Sequence, residues 1–492
     1  MATEADSTPS GRESEIPPHE LGISDPPVEQ PHTSELPGEN STHAVWRLAW
    51  PVVALNSLQV VNNLLDRGFI GHLKGGELTA HGAAQSILFL MFSLAVALGT
   101  GATAIVSRAY GAGQTAEYRR ASRQAFRLSV IFGILACIVT YFSAGAVAKV
   151  MLPGDNPHAV VLMTQFVQIF AFGLPGIAII QTLAGALRGI GDTRSPMVIS
   201  GVQILLHITL NCVLIRPPVG WGLNGAATSL AISSLLSSFV YAWYVGKTPL
   251  RRVLYFQLPS LEWTRRIVRI AFPAAVMATL RVASFALFTL VLALVPGASN
   301  AIAGLSVGTA IESIMFMPAF GLAAAAAALV GQNLGAHNPE RAERLGWAAT
   351  WSSVWVTLTL AVPLFIAAPW AAGVMSGNQT EIVNFGADLL RYLCVTEVLF
   401  AVSMVLQGAM QGAGDTVRPM WISLFSLWLL RVPLAYFVAL KTGDHLIGSI
   451  RMPYGLGLGA HGAWIAISAT QAVQGILSII VFKQGVWKTK RV

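Results

Sequence analysis

Asp66 lies within roughly 80° of Gln59, Asn62 and Asn63 on a helix turning 100° per residue, with Asn56 at the edge of the stripe. A lone carboxylate among amides is suited to taking up and releasing a proton or an organic cation, not to making covalent bonds. The plainer alternative is a structural acid near a helix end, satisfied by the amides or by water, and Arg67 beside it is compatible with that. Gln203, His207 and Asn211 recur at i, i+4 spacing, so they stack on one helical face and can complete a polar pocket with the first stripe. A histidine there can share a proton, although an intramembrane histidine is more often a hydrogen-bonded packing residue.

A second set is balanced: Arg281, Glu312, Glu397 and Arg431, two acids and two bases. Equality favours mutual ion pairing in a low-dielectric bundle, with Arg281 and Arg431 as structural partners. The competing reading is that Glu312 and Glu397 open to bind a proton or a cation. Met315, Phe316 and Met317 follow Glu312, and Phe400 and Met404 follow Glu397, giving soft surfaces for varied amphiphiles, or simply core and lipid contacts. No DDxxD or HExxH motif is present, which argues against an intramembrane enzyme. The GxG matches at 189–191 and 412–414, each followed by Asp-Thr, have no preceding strand and no P-loop lysine, so ATP is not expected as an energy source. Cys137, Cys212 and Cys394 fall in three different apolar runs, and no metal site is assigned.

These residues sit in a chain of 492 residues that is 54% hydrophobic and only 11% charged, more apolar surface than a soluble core of this size buries. Crossing a hydrocarbon layer takes about 20 helical residues. Runs of that length recur at 46–70, 79–106, 126–152, 160–186, 196–216 and 222–246, then at 266–295, 300–331, 345–373, 383–410, 419–440 and 457–483. They are continuous, whereas barrel strands would alternate over about ten residues. The expectation is an all-α membrane protein of twelve spans. Basic residues, Arg108, Arg119, Arg120, Arg188, Arg266, Arg341 and Arg344 among them, concentrate on one side, which predicts both termini cytoplasmic. The net charge of +8 is thus topological, and nucleic acid is not an expected partner.

Residues 1–43 are acidic and rich in Pro, Ser and Glu, and are expected to be a disordered tail without the marks of a signal or transit peptide. The remainder divides into a lobe over 44–247, a cytoplasmic linker over 248–263, a second lobe over 264–484 and a basic tail over 485–492. An internal repeat supports the two lobes. GALRGIGDTRSPM (185–197) recurs as GAMQGAGDTVRPM (408–420), RLAWP (47–51) as RIAFP (269–273), and VSRAYGAG (106–113) as VGQNLGAH (330–337). Each half has an even number of spans, so the copies cross the membrane in the same sense, a design of secondary transporters that places binding between the lobes. Gln85 is the repeat counterpart of Glu312 and joins the polar pocket candidates.

NNLLDRGFIGHL after Pro51, IESIMFMPAFG, GQNLGAH, the doubled RGIGDT and QGAGDT loops and RVPLAY together resemble the MATE family, the multidrug and toxic compound extrusion transporters, over about 44–485. The resemblance implies a V-shaped pair of six-helix lobes in the cell membrane, monomeric. It also implies export of small cationic or amphiphilic compounds in exchange for protons or sodium, protons being preferred, and no cofactor. It makes Pro51 a bending point of the first helix. The chain departs from the archaeal pattern, placing Asn211 where a second aspartate is expected and His207 where an asparagine is expected. It also departs from the NorM-like branch, whose seventh helix carries an acid where this one offers Arg281. A lipid-linked oligosaccharide flippase of the same superfamily is the alternative; the buried acids argue against it.

Overall fold

The computed structural model describes residues 40–490 except 72–75, 153–156, 216–218, 252–258, 378, 444, 448–449 and 452–453. The tail expected over 1–43 therefore lies, up to residue 39, outside the described residues, as do parts of the expected linker and the last two residues of the basic tail. The first half contains α1 (Ser41–Gly71), α2 (Glu77–Gly111), α3 (Thr115–Met151), α4 (Pro157–Ala171), α5 (Leu174–Gly189), α6 (Arg194–Leu214) and α7 (Gly222–Val245). The second contains α8 (Leu261–Leu292), α9 (Ala298–Gly335), α10 (Pro339–Ser376), α11 (Thr380–Gly412), α12 (Val417–Leu424), α13 (Val432–Ala439) and α14 (Gly459–Lys483). Among the described residues eleven spans are long and apolar enough to cross a bilayer, twelve with the bent pair α4 and α5 counted as one, so this is a multi-pass membrane protein.

Three local features depart from uniform helices. The fourth span, expected as one run over 160–186, is bent by 48° between α4 and α5. Pro175 in the first turn of α5 has no N–H to continue the ladder. The bend also lets α3 approach closely, since a Cβ on Gly133 would stand 2.5 Å from Pro175 Cα. The eleventh span widens into a π-helical turn over Phe425–Arg431 immediately before Pro433, where a missing donor and a bulky ring disturb the regular ladder. Ser284 of α8 donates to Leu427 O within that turn, and Trp428 Nε1 donates back to Leu280 O. Finally, in the loop between α13 and α14 of this all-α fold, β1 (His445–Ile447) and β2 (Ile450–Arg451) form a small antiparallel hairpin, next to a bridge between Lys441 and Leu456. Tight turns at Gly443 and Gly457, both at positive φ, allow the chain to double back there.

The repeated segments are the ones that join the halves. Val45, Leu48 and Ala49 of α1 are buried in the core of the second lobe with Leu322, Leu329 and Phe482. Reciprocally, Ile267, Ile270 and Ala271 of α8 are buried in the first lobe with Leu98, Leu183 and Tyr241. RLAWP and RIAFP are thus exchanged anchors. The second repeated pair meets across the same interface: a Cβ on Gly111 would collide with Gln332 O, and one on Gly335 with Arg108 O. In the repeat, Gly111 matches Gly335 and Arg108 matches Gln332, so the contact is pseudo-twofold, as expected for parallel repeats. Even the turns correspond, with Gly113 at φ 70° and His337 at φ 58°. These close approaches all lie in the half that carries Ser41 and Lys483. There the carboxy-terminal turn adds a strap: Trp487 is buried and stacked on Phe482 at 4.7 Å, Lys488 pairs with Glu343 at 2.5 Å, and Arg108 donates to Lys490 O.

Candidate functional site

α1 packs along α6, and α6 along α7, and this brings the two polar faces of the first lobe together. His207 Nε2 lies 3.1 and 3.2 Å from the two carboxylate oxygens of Asp66. Asn211 Nδ2 donates to Asp66 Oδ1 at 2.7 Å and Asn62 Nδ2 donates to Oδ2 at 3.2 Å. Ser229 of α7 closes the cluster from behind, its Oγ 3.1 Å from His207 Nδ1 and donating to Asn211 Oδ1. Asn62, His207, Asn211 and Ser229 are buried, whereas the Asp66 side chain is 21% exposed. The carboxylate is therefore the accessible member of a buried polar cluster. Gln59 and Asn63 bond to each other at 3.4 Å on the exposed side of the stripe and do not reach Asp66. Asn56 donates across the interface to Met317 O, and Gln85 bonds to His81 on its own helix at 2.7 Å, apart from the Asp66 cluster.

The hydrogen positions allow distinct proton contents. If Ser229 donates to Asn211, its lone pairs are left to accept from His207 Nδ1–H, and an ionised Asp66 then accepts from Nε2–H, which makes the ring an imidazolium. Removing one proton leaves a neutral ring beside a carboxylate, and the pair becomes a net anion. Ser229→Ala would strand His207 Nδ1 and Asn211 Oδ1 in a buried site, a cost of about 1–3 kcal/mol. The expected result is a lower thermal midpoint and weaker transport together; an unchanged midpoint would remove Ser229 from the cluster's support.

In the second lobe, Glu312 accepts from Gln471 Nε2 at 3.0 Å, and Gln471 Oε1 accepts from Thr396 Oγ1 at 3.0 Å. Glu397 is fully buried and lies beside Glu312. Arg431 donates through Nε to Thr470 at 3.0 Å and lies within electrostatic range of both Glu312 and Arg281. None of the four charges makes an ion pair within 4.0 Å among the described residues, so the mutual pairing expected of Arg281 and Arg431 is not direct in this structure. Met315 is fully buried against Cys394, and Met404 is buried, while Phe316, Met317 and Phe400 are partly exposed. Pro51 is buried inside an uninterrupted α1. No group of three or more His, Cys, Asp or Glu side chains able to hold a metal occurs among the described residues.

Ser229, Thr396, Thr470 and Gln471 were not expected as members of these sites. Their only sequence signal is a polar side chain in an apolar span. Ser and Thr commonly satisfy their own helix backbone, and Ala226 O at 2.8 Å is the alternative acceptor for the Ser229 hydroxyl, so type alone does not single them out.

A family model, MatE, matches residues 51–213 and 273–437, one copy in each lobe. Among curated relatives, a probable multidrug resistance protein NorM of Thermotoga maritima is 26% identical over 454 residues, covering 91% of this chain and 93% of its own. A probable multidrug resistance protein YoeA of Bacillus subtilis is 23% identical, covering 92% and 96%. Among solved structures, an outward-facing conformation of a multidrug resistance transporter superposes with a TM-score of 0.83 at 22% identity, covering 92% of this chain and 97% of that one.

Proposed function

This chain belongs to the MATE family of transporters, and from that membership we propose that it is a multidrug exporter that exchanges organic cations or amphiphiles for protons. The observation that carries the coupling is the Asp66–His207 contact: a titratable pair, buried but for the carboxylate edge, on a helix whose other end is anchored in the opposite lobe. In the proton-loaded state the pair is neutral and offers a cationic substrate no net charge. Loss of a proton makes it anionic, and the substrate binds in its place. Alternation of the lobes about the glycine contacts then moves the substrate and the proton in opposite directions. Asn211 in place of a second carboxylate supports protons over sodium, because a hard cation is better served by two charged oxygen ligands. Glu312 and Glu397 form a second titratable site that can contribute to the stoichiometry.

Under this reading the protein works as a monomer in the plasma or inner membrane, with both termini in the cytoplasm, on small molecules and without ATP. The test uses purified protein in liposomes loaded with a fluorescent lipophilic cation. A proton gradient is expected to drive efflux and a sodium gradient of equal size to leave it at background; efflux driven by sodium alone would reverse the assignment of the ion.

A further inference from the structure

Between α10, α11 and α14 the second lobe carries a groove of about 480 Å³ that shares only Thr396 with the sites above. Asp388, Arg391, Tyr392 and Val395 line it on the far side of α11 from Gly386 and Leu389, which pack on Gly304 and Gly308 of α9. Since α9 faces the first lobe, the groove opens on the outer flank of the molecule, toward lipid. His461, in the first turn of α14, sets its polar end near the membrane surface remote from the termini. Val395 and Phe365, 70% and 42% exposed, extend it toward the bilayer interior.

Charged side chains on a lipid-facing flank are costly unless a partner satisfies them. Here Asp388 lies 3.8 Å from both Arg391 and His461, too far for hydrogen bonds, so acceptors and donors remain open on all three. Ser468, buried on the groove wall, has a hydroxyl with no partner. One acid beside two bases, above an apolar wall, is complementary to a zwitterion with a tail.

We propose that this groove binds a phospholipid whose headgroup carries a phosphate and a primary ammonium. Arg391 and His461 donate to the phosphate oxygens, and Asp388 accepts from the ammonium. Ser468 donates to an ester oxygen, and an acyl chain lies along Phe365 and Val395. A quaternary ammonium has no N–H for Asp388, and an uncharged glycerol headgroup has no cation, so both should bind more weakly.

The test is titration of delipidated protein with phosphatidylethanolamine, phosphatidylcholine and phosphatidylglycerol, read by native mass spectrometry, with soluble phosphoethanolamine as the tail-less arm. Phosphatidylethanolamine is expected to bind most tightly, and Arg391→Ala and Asp388→Asn each to weaken it at least about tenfold, the scale of a lost charge-assisted hydrogen bond. Trp355→Ala, exposed elsewhere on α10, should leave it unchanged. Equal binding of the three lipids, or wild-type affinity in both charge variants, overturns the proposal. So does soluble phosphoethanolamine binding as tightly as the lipid. Should Arg391→Ala lose its monodisperse elution, Asp388→Asn and Ser468→Ala carry the same comparison.

Discussion

Asp66→Asn is expected to reduce proton-coupled export to background while leaving folding and membrane insertion intact. The substitution keeps the size and planarity of the side chain, so packing on α6 survives. What disappears is the charge. His207, Asn211 and Asn62 all direct nitrogen atoms at Asp66, and an amide at that position offers them one acceptor oxygen instead of two. Each hydrogen bond to a charged acceptor is worth about 1.5–3 kcal/mol, so the variant is modestly destabilised. Its function suffers far more, since no proton content of the altered cluster is anionic with a neutral His207, and no cation is attracted. Efflux of a lipophilic cation from proteoliposomes under a proton gradient measures this. A wild-type rate in Asp66→Asn would shift the coupling to Glu312 and Glu397.

The second large effect is conformational. Gly111→Leu places a side chain where Gln332 O now sits, and a backbone atom cannot swing away. Overpacking of this kind costs about 1–3 kcal/mol even where neighbours can adjust, and here the relief available is separation of the lobes at the end carrying the termini. Gly335→Leu acts on Arg108 O in the mirror contact and should do the same. Transport is expected to fall at least about tenfold, because an exchanger held away from one of its states cannot complete the cycle. Spin labels at Gln114 and Asn338, both in exposed turns at that end, should report a longer distance in Gly111→Leu than in the parent. Gly82→Leu, with nothing within 4 Å of its Cβ, is the matched control. An unchanged label distance together with normal transport would show that the glycine contact does not hold the lobes.

The twelve spans were readable because a bilayer demands long apolar helices, and hydropathy reports that demand directly. Their extents were less so: α9 and α10 each run 38 residues, and the turns that project beyond the hydrocarbon layer are polar and look like loops. The break between α4 and α5 had a local cue in Gly173 and Pro175, and the π turn had one in Pro433. A proline inside a hydrophobic run was nevertheless compatible with an intact helix, as Pro51 in α1 demonstrates. The repeat made the two-lobe plan visible, yet not that its conserved-looking segments trade places between lobes. Within the site, spacing put Asn62 and Asp66 on one face and His207 and Asn211 on another. That the faces touch depends on which helices neighbour one another, a property of the whole bundle, and Ser229 could not be singled out before α7 was placed behind α6.

Exchange at Asp66 requires that a bound cation displace a proton. Mixing purified protein with tetraphenylphosphonium in weakly buffered solution and following a pH indicator measures that displacement directly. Reciprocal linkage predicts roughly one proton released per bound cation in the parent protein and almost none in Asp66→Asn. Cation binding without proton release, or equal release from the variant, would contradict exchange at this pair.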